Sequence, residues 1–206
     1  ATTNGGTTPF STASDTASIT VTAINDAPAL TTSGGTTAFT EGDNTASTPV
    51  AIDSGLTLSD LDSPTLANAT VSITGSFQSG EDGLAFTNDG ATMGDIAGSY
   101  NSATGVLTLT SAGGASAAQW QAALRVVSYD NSSEAPSTTN RTISFVVNDG
   151  STNSAAVTKT ISVASINDTP VANVPASITV TEDTATAITG ISFSDTDAGG
   201  GSVTPT

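Results

Sequence analysis

The chain has 206 residues, which bounds it at one to two domains. Nineteen Asp and Glu stand against three bases, Arg125, Arg141 and Lys159, for a net charge of −16. Such a surface repels nucleic acid and anionic membranes and attracts hard cations such as Ca2+, while the lack of any Cys or His excludes disulfides and the usual zinc and copper ligand sets.

No signal peptide pattern opens the chain, and no stretch approaches the roughly 20 apolar residues of a membrane span. Aromatics are 4% of the residues, so a core must be filled by Val, Ile, Leu and Ala. Residues 18–28 read SITVTAINDAP, an alternating strand running into Ile-Asn-Asp-x-Pro. FTEGDN follows at 39–44 and SDLDS at 59–63. Val71 and Ile73 alternate with Thr and Ser and lead towards Phe77. Glu81-Asp82 is read as a solvated loop, since adjacent residues of an extended loop point apart. Asn88-Asp89-Gly90 is a turn signal, and the turn residues 103–105 precede a strand with Val106, Leu107 and Leu109.

Ser116-Ala-Ala-Gln119 has the form of a capping box, and Ala117, Trp120 and Leu124 then fall on one helical face. The spacing predicts a short helix that plugs one end of the domain with Trp120; an exposed, sugar-stacking Trp120 is the competing reading. Ile143, Phe145 and Val147 form another alternating face, the turn Asn148-Asp149-Gly150 follows, and Val157, Ile161 and Val163 form a third face. Many short strands with turns at regular spacing predict an all-β antiparallel sandwich with one short helix.

Residues 160–170, TISVASINDTP, repeat residues 18–28, with Asn25 and Asn167, Ile19 and Ile161, Val21 and Val163, and Pro28 and Pro170 each 142 positions apart. VTEDTA (180–185) and SDTDA (194–198) then repeat FTEGDN and SDLDS in the same order. The expected division is a tail of one repeat at 1–26, a complete repeat at 27–168 and the head of a third at 169–206.

The junction ITVTAINDAPAL, the following TEGDN, the Asp-x-Asp of SDLDS and the block QWQAALRVVSYDNSSEAPSTTNRTISFVVNDG (119–150) resemble the cadherin-like repeats of large bacterial adhesins. The resemblance covers nearly the whole chain. It implies Greek-key, Ig-like sandwiches strung end to end with calcium at each junction, in proteins of the RTX type that leave the cell by type I secretion and serve surface adhesion or biofilm formation. A 142-residue repeat is longer than a typical cadherin module, and residues 78–103 stand as an insertion.

By analogy with that family, Asn25, Asp26, Glu41, Asp60 and Asp62 would hold Ca2+ at the first junction, and Asn167, Asp168, Glu182, Asp195 and Asp197 at the second. Calcium takes six to eight oxygen ligands, which three chain segments can supply together. Pro28 and Pro170 stiffen the exit from each linker, and Asp149 is a further candidate. Asn, Asp and Gly are also the commonest turn residues, and acidity keeps extracellular or halophilic proteins soluble; the ordered set seen twice favours calcium. Without metal the clustered carboxylates repel, so an array would be a flexible string that calcium stiffens into a rod.

The expected function is a calcium-stabilised spacer repeat of an extracellular surface protein, with neighbouring repeats of its own chain as partners. The alternative is a module that binds cell-surface polysaccharide or another copy of itself, with Trp120, Tyr100 and Tyr129 as candidate aromatics. Strand exchange into a filament is a variant of the spacer reading. Catalysis is not expected, because the chain offers carboxylates alone. An isopeptide staple through Lys159, the only lysine, is a further conceivable crosslink.

Overall fold

The computed structural model describes residues 15–198. Residues 1–14 of the expected tail and 199–206 of the expected head lie outside the described residues. In chain order the strands are β1 (Ala29–Thr31), β2 (Thr36–Thr40), β3 (Val50–Ala51), β4 (Thr57–Ser59), β5 (Leu66–Gly75), β6 (Asp82–Ala85), β7 (Ala97–Asn101) and β8 (Val106–Ala115). The helix α1 (Ala117–Val126) follows, then β9 (Ser128–Asn131), β10 (Arg141–Asn148) and β11 (Val157–Ala164). Two short strands, β12 (Val171–Asn173) and β13 (Ser192–Ser194), come after the linker.

The architecture is an all-β sandwich with one short helix. One sheet has the order β2-β11-β10-β5-β8-β7, and the facing sheet the order β3-β9-β6. β2 lies parallel to β11, and the other pairings are antiparallel. The alternation read from the sequence is the alternation of burial: Ala69, Val71 and Ile73 on β5, Ile143, Phe145 and Val147 on β10, and Ile161 and Val163 on β11 all point inward. Phe39 on β2 meets Tyr129 on β9 edge to face at 5.2 Å, joining the two sheets through the core.

Residues 78–103 are built into both layers. β6 forms one edge of the smaller sheet and β7 one edge of the larger. The reading of Glu81-Asp82 as a solvated loop is therefore corrected. The inward face of β10 begins with Arg141, which is fully buried and needs a counter-charge. Asp82, on β6, supplies it: Arg141 Nε donates to Asp82 Oδ2 at 2.9 Å. Tyr129 Oη and Asn131 Nδ2 donate to Asp82 Oδ1 at 2.6 and 2.7 Å. Lys159 also points inward, and its Nζ donates to Ser33 O, Ser33 Oγ and Gly34 O at 3.1, 3.0 and 3.0 Å. Among the described residues the one ion pair is Arg141–Asp82; Lys159 reaches the buried Asp53 carboxylate through the Ser33 hydroxyl, which donates to Asp53 Oδ1 at 2.5 Å.

The predicted helix is present with both halves of its capping box, Ser116 and Gln119. Trp120 is fully buried, and its Nε1 donates to Leu66 O at 3.1 Å. Gln121 Oε1 accepts the Leu58 N–H at 3.0 Å and Arg125 Nε donates to Leu56 O at 2.7 Å, tying α1 to the β4 segment.

The repeat is visible in the backbone. β1 pairs antiparallel with β4 as Ala29↔Ser59, and β12 pairs antiparallel with β13 as Val171↔Ser194. Ser59 and Ser194 each immediately precede an Asp-x-Asp.

Trp120 fills the end of the core where β5 begins, so Trp120→Ala is expected to cost about 3–5 kcal/mol. A urea titration reads this as a lower midpoint at unchanged slope. A loss well under 1 kcal/mol would contradict a core role for the indole.

Candidate metal centre

Thr40 on β2 lies opposite Ala164 on β11, so the residues that follow these strands emerge at the same end of the sandwich. Glu41 comes directly after β2. Its N–H donates to Ala164 O at 3.1 Å, and Ile166 N–H donates to its Oε2 at 3.1 Å. The residue is 2% exposed, yet Oε1 has no hydrogen-bond partner among the described residues. Asp168, fully buried in the linker, accepts the Asn44 N–H on Oδ1 at 2.8 Å and leaves Oδ2 without a partner. Glu134, in the loop between β9 and β10, has a shielded Oε2 in the same condition.

One oxygen from each of Glu41, Glu134 and Asp168 lies within 4.8 Å of the others. Oxygens on opposite sides of one calcium ion are separated by about 5 Å, twice its ~2.4 Å bond length. Across the linker, Asp168 N–H donates to Asp197 Oδ2 at 3.2 Å, and Asp195 Oδ1 is shielded without a partner. Asp43 and Asn44 fasten the linker directly. Thr169 donates to Asp43 through its N–H at 2.9 Å and its hydroxyl at 3.1 Å, and Asn44 Nδ2 donates to Thr169 O at 3.0 Å. Asn44 adopts a left-handed backbone, φ 48°, a conformation asparagine tolerates better than most residues.

The cluster is electrostatically unbalanced. Burial, aided by the charges of Asp168, Glu134 and Asp197, pushes the Glu41 carboxyl up against the opposing hydrogen bond from Ile166. Asp195 is also pushed up, first by the hydrogen bond it shares with the Asp197 carboxyl, then by desolvation and the charges of Asp197 and Asp168. The chain has three bases, and each is committed elsewhere: Arg125 to Leu56 O, Arg141 to Asp82 and Lys159 to Ser33 and Gly34. A cation that balances these carboxylates must come from solution, and an all-oxygen donor set suits calcium.

The other end of the sandwich carries the same linker geometry. Asp26 N–H donates to Asp62 Oδ2 at 3.0 Å, as Asp168 N–H does to Asp197. Asn25 Nδ2 donates to Asp26 O at 3.2 Å, and Asn167 Nδ2 to Asp168 O at 2.9 Å. Asp60 Oδ1 accepts the Asp62 and Ser63 N–H groups at 3.2 and 2.9 Å, while its Oδ2 is shielded and unpartnered. Asp149 joins this end: its Oδ2 accepts Asn25 Nδ2 at 2.8 Å, and that hydrogen bond leads the causes holding its carboxyl below the usual range.

The structure thus regroups the residues read from the sequence. Asn25, Asp26, Asp60 and Asp62 come together, and so do Asn167, Asp168, Asp195 and Asp197. Glu41 does not join the first set. The parallel β2–β11 pairing delivers it to the second, because it leaves the sandwich beside the linker that follows β11. Glu182 is exposed and belongs to neither group among the described residues. Glu134, Asp43 and Asn44 were missed. Glu134 sits in a Ser-Ser-Glu-Ala-Pro loop with no ligand-like spacing; the one available signal is rarity, since the chain has four Glu and two of them meet here.

In chelator the raised Glu41 carboxyl has a defined pH signature. Between its ordinary 4.5 and its higher folded value the native state binds more protons than the unfolded chain, so stability falls as pH rises through that window. Glu41→Gln is expected to raise the metal-free melting temperature at neutral pH, with the gain shrinking to nothing as pH approaches 4.5. A pH-independent effect, or a loss at neutral pH, would contradict the strained cluster.

No family model matches the chain, and no solved structure does. Over 85 residues, 41% of the chain, it is 42% identical to halomucin of Haloquadratum walsbyi (strain DSM 16790 / HBSQ001). The match spans 1% of that protein's own length, so what the chain is similar to is one short stretch of a very long polypeptide.

Proposed function

We propose that this chain is a spacer segment of an extracellular surface protein, in which calcium bound at each linker stiffens the joint between successive sandwiches. The observation that carries the reading is the convergence of Glu41, Glu134 and Asp168, each of which has a shielded oxygen without a partner and brings one carboxylate oxygen within 4.8 Å of the others, with Asp195 and Asp197 brought up across the linker. At the first linker Asn25, Asp26, Asp60, Asp62 and Asp149 form the matching half, and the counterparts of Glu41 and Glu134 belong to a sandwich preceding Asn25. The likeness to halomucin, a large extracellular surface protein of an archaeon, supports a surface repeat. Cadherin-like ancestry, RTX-type secretion and biofilm formation remain implications of the sequence resemblance.

The tandem arrangement is supported by an asymmetry of burial. Ile19 and Val21 are 88% and 87% exposed, whereas Ile161 and Val163, at 142 positions further on, lie buried between β10 and β2. Residues 18–26, expected as a strand, form none here; their apolar alternation lacks the neighbours that β11 has, which a preceding sandwich would supply. The polysaccharide alternative loses Trp120 and Tyr129, which are fully buried.

Titration with calcium, small-angle scattering and thermal melting test the reading together. Calcium is expected to stiffen the particle and raise its melting temperature relative to chelator. Asp195→Ala with Asp197→Ala should remove the ion bound at the second linker, and Asp60→Ala with Asp62→Ala should loosen the first without unfolding the sandwich. Unchanged stoichiometry and unchanged stiffness in both double variants would sink the calcium assignment.

A further inference from the structure

The loop that carries Glu134 is held from both sides by one buried ion pair that touches none of the carboxylates of the metal centre. At its start, Asn131 Oδ1 accepts the Ser133 N–H at 2.9 Å, and Ser132 N–H donates to Glu81 O at 3.0 Å. Asn131 is itself fixed by its 2.7 Å hydrogen bond to Asp82. At its end, Arg141 Nη1 donates to Ser137 O at 3.0 Å and to Thr139 O, while Nε of the same guanidinium pairs with Asp82 at 2.9 Å. A guanidinium holds several acceptors in a rigid plane, which an ammonium does not. Asp82 therefore links the two attachments, and Glu134 lies between them.

We infer that the Asp82–Arg141 pair, with β6 from the 78–103 segment, is the positioning element of the metal centre and sets calcium affinity at the second linker by fixing Glu134. The inference rests on the calcium reading above. Outer groups that orient metal ligands commonly change affinity by about 10–100-fold when altered. The sandwich has a separate reason to keep a counter-ion for Arg141, so loss of stability alone does not distinguish a positioning role from a structural one. Coupling to Glu134 does.

The test is a double-mutant cycle of Arg141→Lys and Glu134→Gln in the D60A/D62A chain, where calcium titrated into the protein reports the second linker. Arg141→Lys keeps the charge beside Asp82 and gives up the fork that grips Ser137 and Thr139. It is expected to weaken calcium binding by about tenfold or more, and to cause no further loss once Glu134→Gln is present. An unchanged affinity, or equal losses with and without Glu134, overturns the positioning role while leaving the calcium reading intact. No calcium binding by the D60A/D62A chain itself brings down the calcium reading and this inference with it. Should Arg141→Lys fail to fold, hydrogen exchange on the unaltered chain in chelator decides: protected Ser132 and Ser133 amides support a loop fixed before metal arrives, and exchange at the rate of free peptide overturns it.

Discussion

Because β2 and β11 run side by side in the same direction, the chain leaves both strands at one end of the sandwich. Most connections in a small β protein are hairpins, which pair strands antiparallel and send their ends to opposite sides. The parallel closure of an early strand against the last brings Glu41 next to the linker that starts at Ser165. From that contact follow the hydrogen bond from Ile166, the grip of Asn44 on Asp168 and the meeting with Glu134. A linker that merely trailed from β11 would have no reason to be ordered by residues more than a hundred positions earlier.

Charge placement follows from the same architecture. Two of the three bases, Arg141 and Lys159, lie on the inward face of the larger sheet, where desolvation requires that they be satisfied internally. Asp82 answers the first, and the carbonyls of Ser33 and Gly34 with the Ser33 hydroxyl answer the second. The acids at the two ends are left with no base to neutralise them. Where such acids are shielded and close together, as at Glu41, Glu134 and Asp168, their repulsion is a standing cost.

The linker is held in two ways. Asp43, Asn44 and Thr169 form a latch of neutral and charge-assisted hydrogen bonds that needs no metal. Beyond it, Asp168 N–H donates to Asp197 Oδ2, so the root of the linker is fixed by contacts that the picture of a freely bending string leaves out.

Local pattern determined a good deal of this. Period-two alternation marked β5, β8, β10 and β11, because each is half-buried and a strand shows its faces in alternation; the Ser116–Gln119 box marked α1, because a helix start must satisfy its own free N–H groups. The repeated Ile-Asn-Asp-x-Pro and Asp-x-Asp marked the linker residues Asn25, Asp26, Asp60, Asp62 and their later counterparts, since each motif is a short contiguous unit and the units recur in the same order. What the tertiary structure alone decided is which distant groups share a space. Asp82 looked like a loop acid until Arg141 was found facing it across the two sheets, and Glu134 had no motif at all. The family analogy put Glu41 at the first linker, whereas strand order, set by long-range pairing that no local pattern encodes, placed it at the other end.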